Sequence, residues 1–292
     1  SRTVHRLVFR GLLERKARTA FTLLAVVLGV TLIAGTFVLT DTISKSFDGL
    51  VAAAGENVDV KVLAPNGGDG IDNQTVTLTF PASVEARVKA VDGVAAASGA
   101  YREVAVTVVD DGGKRVGPTT GAPTLAFSAV PVRFDPFEYE EGRSPAADDE
   151  MAITTSAAKD AGVEVGDRLR VQGTQKPRAY TVVGLVTFGG AGAVGGAALS
   201  VFSLPEVQAL AGTPGRLTEL DAQAQDGVTQ VELKRRISAA LGADARVRTG
   251  DEDAAAASAE LSDVLKYLTL GLLTFGLIAL LVGSFVIFNT FT

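Results

Sequence analysis

The chain has 292 residues, 47% of them hydrophobic, with a mean hydropathy of +0.29 and a net charge of −6. It has no cysteine and one histidine, His5, which excludes disulfides, thiolate metal sites, His metal clusters and His-based triads. Soluble domains of this size are usually more polar, so membrane segments are expected.

The charge is unevenly placed. Residues 1–18 hold Arg2, Arg6, Arg10, Arg15, Lys16 and Arg18 against Glu14, for +5, which leaves −11 for the rest, and nothing after Lys266 is charged. The acidic block has no basic stripe with interleaved aromatics, which argues against nucleic-acid binding.

Val4, Leu7, Val8, Gly11 and Leu12 fall on one helical face, with Arg6, Arg10 and Arg15 largely off it. A basic amphipathic helix of this kind lies in a membrane interface, and Arg6, Arg10, Arg15, Lys16 and Arg18 are its expected anchors to anionic lipid. Thr19 to Thr40 then gives 22 uncharged residues. As a helix they span roughly 33 Å, against about 30 Å for a hydrocarbon core. The stretch exceeds a signal-peptide apolar region and lacks an A-x-A exit, so it reads as an anchor. The basic side places the N-terminus in the cytoplasm and residues 41–266 outside.

After Asp41, the apolar residues Ile43, Phe47, Leu50, Val51 and Ala54 keep one helical face, and Gly55 is a natural stop. A single helix over about 20–54 is expected, continuing beyond the bilayer as a stalk. A matching one is expected at the other end. Thr249-x-x-Glu252 fits a capping box, with Asp251 and Asp253 near the positive helix end, and Leu261, Val264, Leu265 and Leu268 form a stripe. The 26 uncharged residues from Tyr267 to Thr292 form the second span. Apart from the phenol of Tyr267 at the edge of the second, neither span holds an ionisable side chain, which argues against an ion or proton route through these helices. Ala25-x-x-x-Gly29 and Ala279-x-x-x-Gly283 have the spacing that allows close helix approach, though Ala and Gly are also simply common in such helices.

In the outer block, "NVDVKVLA" (57–64) reads as a strand, "PASVEARVKAVDGV" (81–94) as a helix and "YREVAVTVVDD" (101–111) as a strand. "GRLTELDAQA" (215–224), "VTQVELKRRISAALGA" (228–243) and "ARVRTG" (245–250) repeat that order. Two such units give a split β-α-β, ferredoxin-like layer. Between them, "EMAITTSAAKDAGV" reads as a strand and helix, "RLRVQG" with "RAYTVVGLVTF" as a hairpin, "ALSVF" as a strand and "LPEVQALAG" as a short helix.

Candidate chemistry is thin. Gly190-x-Gly192-x-x-Gly195 is followed by strand-like "ALSVF" where a dinucleotide fingerprint needs a helix, so it reads as a loop. "GGK" (112–114) lacks phosphate-loop spacing. "FEYEEGR" (137–143) and "DDE" (148–150) read as solvated acidic loops, lacking the ordered spacing of a cation site. Asn73-Gln74-Thr75 is a sequon by pattern alone. "KRR" (234–236) reads as a solvated helix face.

The order of these pieces resembles the membrane subunits of MacB/FtsX/LolC-type ABC transporters. The resemblance is carried by the basic start, "LLERKARTAFTLLAVVLGVTLIAGTFVLTDTI", the large outer block and the returning helix, and by "EEGRSP", "EMAITTSAAKDAGVEVGDRLRVQG" and "YTVVGLV" within the block. The matching positions are Gly142, Arg143, Gly162, Val163, Gly166, Asp167, Val182 and Gly184. The resemblance implies an α+β membrane protein in which two transmembrane helices flank an extracytoplasmic domain with a ferredoxin-like, porter-type layer and an inserted β-rich subdomain. The expected domains are 1–18 (amphipathic helix), 19–40 (first span), 41–114 and 204–266 (the two parts of the layer, each with a stalk helix), 115–203 (inserted subdomain) and 267–292 (second span).

It also implies a permease subunit of the cell membrane, without chemistry of its own, that couples a separate ABC-type ATPase mechanically to its outer domain. ATP and Mg²⁺ belong to that partner, and no cofactor is expected in this chain. A second permease chain, or the second half of a longer chain, is expected beside it. The cargo classes implied are lipids, lipoproteins, peptides and drugs, and some relatives instead activate cell-wall hydrolases. Family members have further spans and a cytoplasmic loop near where this sequence stops, so the chain is expected to be part of a longer protein. The alternative is a two-span receptor with an outer sensing domain, which needs a signalling domain beyond Thr292. A surface hydrolase is a poor third, because the outer block has no histidine.

Overall fold

A computed structural model describes residues 16–65, 78–118, 123–189 and 197–291. Of the amphipathic helix expected over 1–18, the part up to residue 15, with Arg6, Arg10 and Arg15, lies outside the described residues, as do the Asn73 sequon and the Gly190–Gly195 loop. The chain divides into two compact units, residues 48–257 and residues 1–47 with 258–292.

Two long helices serve both units. α1 runs Lys16–Ala54, and the amide of Gly55 closes its last turn by donating to Val51 O at 2.9 Å. α6, the last helix, runs Gly250–Phe291. The end of α1 and the start of α6 match the sequence expectation, while residues 16–19, expected ahead of the first helix, already belong to α1. Each contains a stretch apolar and long enough to cross a membrane by length and composition, Val27–Gly49 and Gly250–Phe285.

In the smaller unit the two helices meet antiparallel. A Cβ on Gly29 would lie 2.8 Å from Leu280 Cδ2, and one on Gly276 would lie 3.1 Å from Ile33 Cγ1. Further along, the hydroxyls of Thr40 and Thr269 are 3.2 Å apart. Positions 29, 33, 36 and 40 alternate in steps of four and three, the spacing of a coiled-coil seam. Thr36 is buried there, and its hydroxyl donates to Leu32 O at 2.7 Å. Phe37, Val38, Phe275, Leu281 and Phe285 point away from the seam and are exposed. Such surface suits lipid or further helices, not water.

Among the described residues the larger unit holds two main sheets and a two-stranded ribbon. The first contains β1 (Val60–Leu63), β3 (Val94–Ala100), β12 (Glu219–Ala224) and β13 (Arg246–Thr249) in the order β13-β1-β12-β3, with every neighbouring pair antiparallel. Helices α2 (Val84–Lys89) and α5 (Gln230–Leu241) bury one face of it. Val60, Val62, Leu220 and Ala222 pack there against Val84, Val88, Leu233 and Ile237. A short ribbon pairs β2 (Phe80–Pro81) with β11 (Arg216–Leu217).

The second sheet has seven strands: β4 (Val104–Val109), β5 (Thr124–Ser128), β6 (Phe137–Gly142), β7 (Glu150–Thr154), β8 (Arg168–Gln172), β9 (Arg178–Phe188) and β10 (Ala198–Phe202). Their order is β6-β9-β7-β10-β5-β4-β8, and β8 also pairs with the first half of β9, which curls the sheet into a barrel. Val106, Val108, Met151, Ile153, Val171 and Tyr180 fill its interior, with Ala158 of α3 (Thr155–Ala161) and Val207 and Leu210 of α4 (Leu204–Ala211). A second cluster on the other face centres on Phe127, Phe137 and Phe188, whose rings sit 5.3–6.5 Å apart.

Three expectations are corrected. The strand that closes the first β-α-β unit is β3, "VAAASGA", whose small residues carry no β-branched signal after Val94. The strand expected there, within 101–111, is β4 and belongs to the barrel. The stretch "FEYEEG" is strand β6 rather than a solvated loop: Phe137 is buried, Tyr139 packs against the phenylalanine cluster, and the glutamates between and beyond them face out. The helix "LPEVQALA", expected with the first layer, packs on the barrel instead.

The seam makes a testable expectation. In a T40C/T269C variant of this cysteine-free chain, oxidation should cross-link α1 to α6 in good yield. Adding Gly276→Leu should cut that yield several-fold, because the new side chain meets Ile33. An unchanged yield would contradict the packing.

Candidate functional site at the root of the last helix

No linker separates β13 from α6. Thr249 N donates to Glu252 Oε2 at 3.0 Å and Glu252 N donates to Thr249 Oγ1 at 3.1 Å, a complete capping box. Lys234 of α5 holds the same Glu252 at 2.7 Å. Gly250 N donates to Asp59 O at 2.8 Å, and a Cβ on Gly250 would overlap Val58 O. The first turn of α6 is thus pressed against the start of β1, and only glycine fits.

The open face of the four-stranded sheet carries charge. Lys61 on β1 lies 3.0 Å from Asp253 in the first turn of α6, 3.5 Å from Glu219 and 4.0 Å from Asp221 on β12. Arg248 on β13 reaches Asp253 at 3.4 Å. Arg102, between β3 and β4, pairs with Glu219 and reaches Asp221 at 3.2 Å. Asp221 is 1% exposed. The cluster therefore joins α6, three strands of the sheet and the start of the barrel. Beside it a cleft of about 230 Å³ is walled by Val51, Val58, Phe127, Phe188, Ala254 and Ala257.

Burial by itself would push the Lys61 ammonium down, but Glu219, Asp221 and Asp253 outweigh it and hold the ammonium firmly protonated. Burial likewise penalises the Glu219 carboxylate, and Arg102 and Lys61 overcome that and keep it ionised. Asp221 goes the other way: burial and then the charge of Glu219 raise it to about 6. Burial also raises Asp135, whose carboxylate accepts from Phe137 N at 3.0 Å and feels Arg102, to about 6. Removing one member of such a cluster strands the others, at a cost of about 3–5 kcal/mol.

Two aspartates raised above their unfolded values bind protons more tightly in the fold. Their contribution is full below about pH 4 and fades as pH rises through about 6. The opposite groups, Glu150 and Glu232 at about 2, lose their contribution only below about pH 4.5. The melting temperature of the chain should therefore rise as pH falls from 7.5 to 5. Asp221→Asn should flatten that rise. A melting temperature that falls over this window would contradict the assignment.

The resemblance-derived positions lie elsewhere, around the barrel's rim. Gly142 has φ 76°, and a Cβ on it would overlap Val183 O. A Cβ on Gly184 would overlap Arg143 O, and Arg143 N donates to Val183 O at 2.8 Å. The Arg143 guanidinium grips Glu150 with both nitrogens. Gly162, at φ 71°, ends α3. Gly166 N donates to Val182 O, Val182 N to Asp167 O, and the Asp167 carboxylate accepts from Glu164 N at 2.9 Å. These residues hold tight turns and close backbone approaches. Gly184→Ala should cost on the order of 2 kcal/mol or more in thermal or denaturant unfolding, because the obstructing atoms are backbone. A cost within 0.5 kcal/mol would refute that geometry.

Lys16 and Arg18 lie in the first turn of α1. Among the described residues, no group of three or more His, Cys, Asp or Glu side chains is placed to hold a metal ion. The charged cluster is not among the sequence expectations. Its signal was there in "VKVL", "ELDA" and "RVRT", where charges alternate with core residues on strands of one sheet.

The MacB-like periplasmic core domain family matches residues 19–240, and the chain belongs to that family. An uncharacterized ABC transporter permease protein of Mycobacterium tuberculosis, Rv0987, is 32% identical over 145 residues. That match covers 49% of this chain and 16% of the longer relative. Among solved structures, the periplasmic region of MacB from Actinobacillus actinomycetemcomitans aligns with a TM-score of 0.49 at 14% identity, over 69% of this chain and 92% of that one. The extracellular domain of the noncanonic ABC-type transporter YknZ from Gram-positive bacteria aligns at 0.43 and 13% identity, over 65% and 98%.

Proposed function

We propose that this chain is a permease subunit of an ABC transporter that works mechanically, moving its outer unit in response to ATP hydrolysis in a separate subunit. Family membership and similarity to a mycobacterial ABC transporter permease protein support the class. The observation that carries the mechanism is the linker-free start of α6, clamped to the sheet by the capping box and by Asp253 on Lys61. A helix fixed in this way at its outer end passes displacement to the sheet, where a flexible linker would absorb it.

In this reading the four-stranded sheet with α2 and α5 is the ferredoxin-like, porter-type layer, its strand order being that of a split β-α-β fold. The barrel, contiguous in sequence between β3 and β12, is the inserted β-rich subdomain. Residues 41–266 lie outside the membrane, the N-terminus lies in the cytoplasm, and Arg6, Arg10, Arg15, Lys16 and Arg18 rest on anionic lipid. The partner ATPase holds ATP and Mg²⁺. A second permease half completes the machine, and the cargo is a lipid, lipoprotein, peptide or drug.

Affinity purification of the full-length protein from membranes should bring down an ABC-type ATPase in stoichiometric amount, with ATP hydrolysis that depends on this subunit. Intact, folded protein that recovers no ATPase would contradict the reading and favour a two-span receptor.

A further inference from the structure

The chain passes between the two sheets twice. Residues 101–103 carry the first passage, from Ala100 at the end of β3 to Val104 at the start of β4. Glu103 in it has φ 66°, a left-handed conformation that residues with a Cβ seldom adopt. Residues 212–215 carry the second, from α4 to β11, with Gly212 at φ 74° and Gly215 at φ 73°.

The two passages run side by side and are laced together. The hydroxyls of Tyr101 and Thr213 are 2.8 Å apart, Arg102 N donates to Thr218 Oγ1 at 2.9 Å, and Thr218 N donates to Ala100 O at 3.0 Å. Successive side chains on the first passage go opposite ways. Tyr101 fills the barrel's core, while the Arg102 guanidinium meets Glu219 and Asp221 on the four-stranded sheet. One residue thus ties the barrel's first strand to the other sheet's charged face, at a waist only two chain segments wide.

We propose that this waist is a hinge between the barrel and the four-stranded layer, with Arg102 as its latch. The inference concerns the larger unit alone and does not depend on the presence of an ATPase. The latch is under tension from its own carboxylates. Asp221 faces Glu219 on its own strand, Lys61 on β1, Arg102 on the waist and Asp253 on α6. Asp135 faces Arg102 and the amide of Phe137. With all groups ionised, burial and the neighbouring Glu219 carboxylate oppose the charge on Asp221, and burial opposes the charge on Asp135. Opening the waist would hydrate Asp221 and Asp135 and return them towards ordinary acidity, so the closed form holds their protons more tightly. Proton uptake therefore closes the hinge, and rising pH loads it towards opening.

Residues 1–292 hold no cysteine, so once any cysteine elsewhere in the full-length protein is replaced, labels go only where they are placed. Spin labels at Asp160→Cys on α3 and Val231→Cys on α5, both exposed, report the distance between the two layers in the full-length protein in lipid nanodiscs. Pulsed-EPR distances should form one narrow population at pH 5 and broaden or split at pH 8. The isosteric double variant Asp221→Asn/Asp135→Asn should keep the pH 5 distribution at pH 8. Arg102→Gln, checked for cooperative melting, should be broad at both. The proposal is overturned if the wild-type distribution is the same at both pH values, or if its pH response survives unchanged in the double variant. Should Arg102→Gln fail to fold, the double variant decides.

Discussion

Charges removed from water must be matched, and that constraint organises this protein's outer unit. Lys61, Arg102 and Arg248 on one side, and Glu219, Asp221 and Asp253 on the other, occupy a face where each would be costly alone. No two elements supply all of them. β1, β12, β13, the passage from β3 to β4, and the first turn of α6 must each be in place before the set is satisfied. The cluster therefore acts as a registration device: it fixes where the last helix starts relative to the sheet and where the barrel's first strand leaves it.

The apolar cores on either side need no such agreement. Val60, Val62, Leu220 and Ile237 pack one layer, and Val106, Ile153, Val171 and Tyr180 pack the other. The root of α6 is held by the reciprocal cap of Thr249 and Glu252, the close backbone approach at Gly250 and the grip of Lys61 on Asp253. Helix, sheet and ionic contact together make a joint of the kind that mechanical coupling requires.

Much of this was legible in the sequence. The 3.6-residue apolar pattern from Ile43 to Ala54, ended by Gly55, and the Thr249–Glu252 box gave both long helices nearly to the residue. The alternating strands of β8 and β9 and their pairing were also readable. β3 was not, because "VAAASGA" holds its place through the neighbouring β12 and not through propensity. β6 was masked by its glutamates: an edge strand can carry charge on its outer face while Phe137 and Tyr139 face in. The ion cluster escaped because its members are up to about 190 residues apart and only the sheet order brings them together. The resemblance-derived glycines were visible as a pattern, but their reason, overlap with the carbonyls of Val183 and Arg143, exists only in three dimensions.

The central claim is that α6 is fixed to the sheet at its first turns through Lys61. Amide hydrogen exchange over residues 250–257, in the full-length protein in nanodiscs, tests it most directly. The account predicts slow exchange in the wild type and a marked, local acceleration in Lys61→Met, with residues 153–172 of the barrel unchanged. Equal protection of residues 250–257 in both proteins would contradict it.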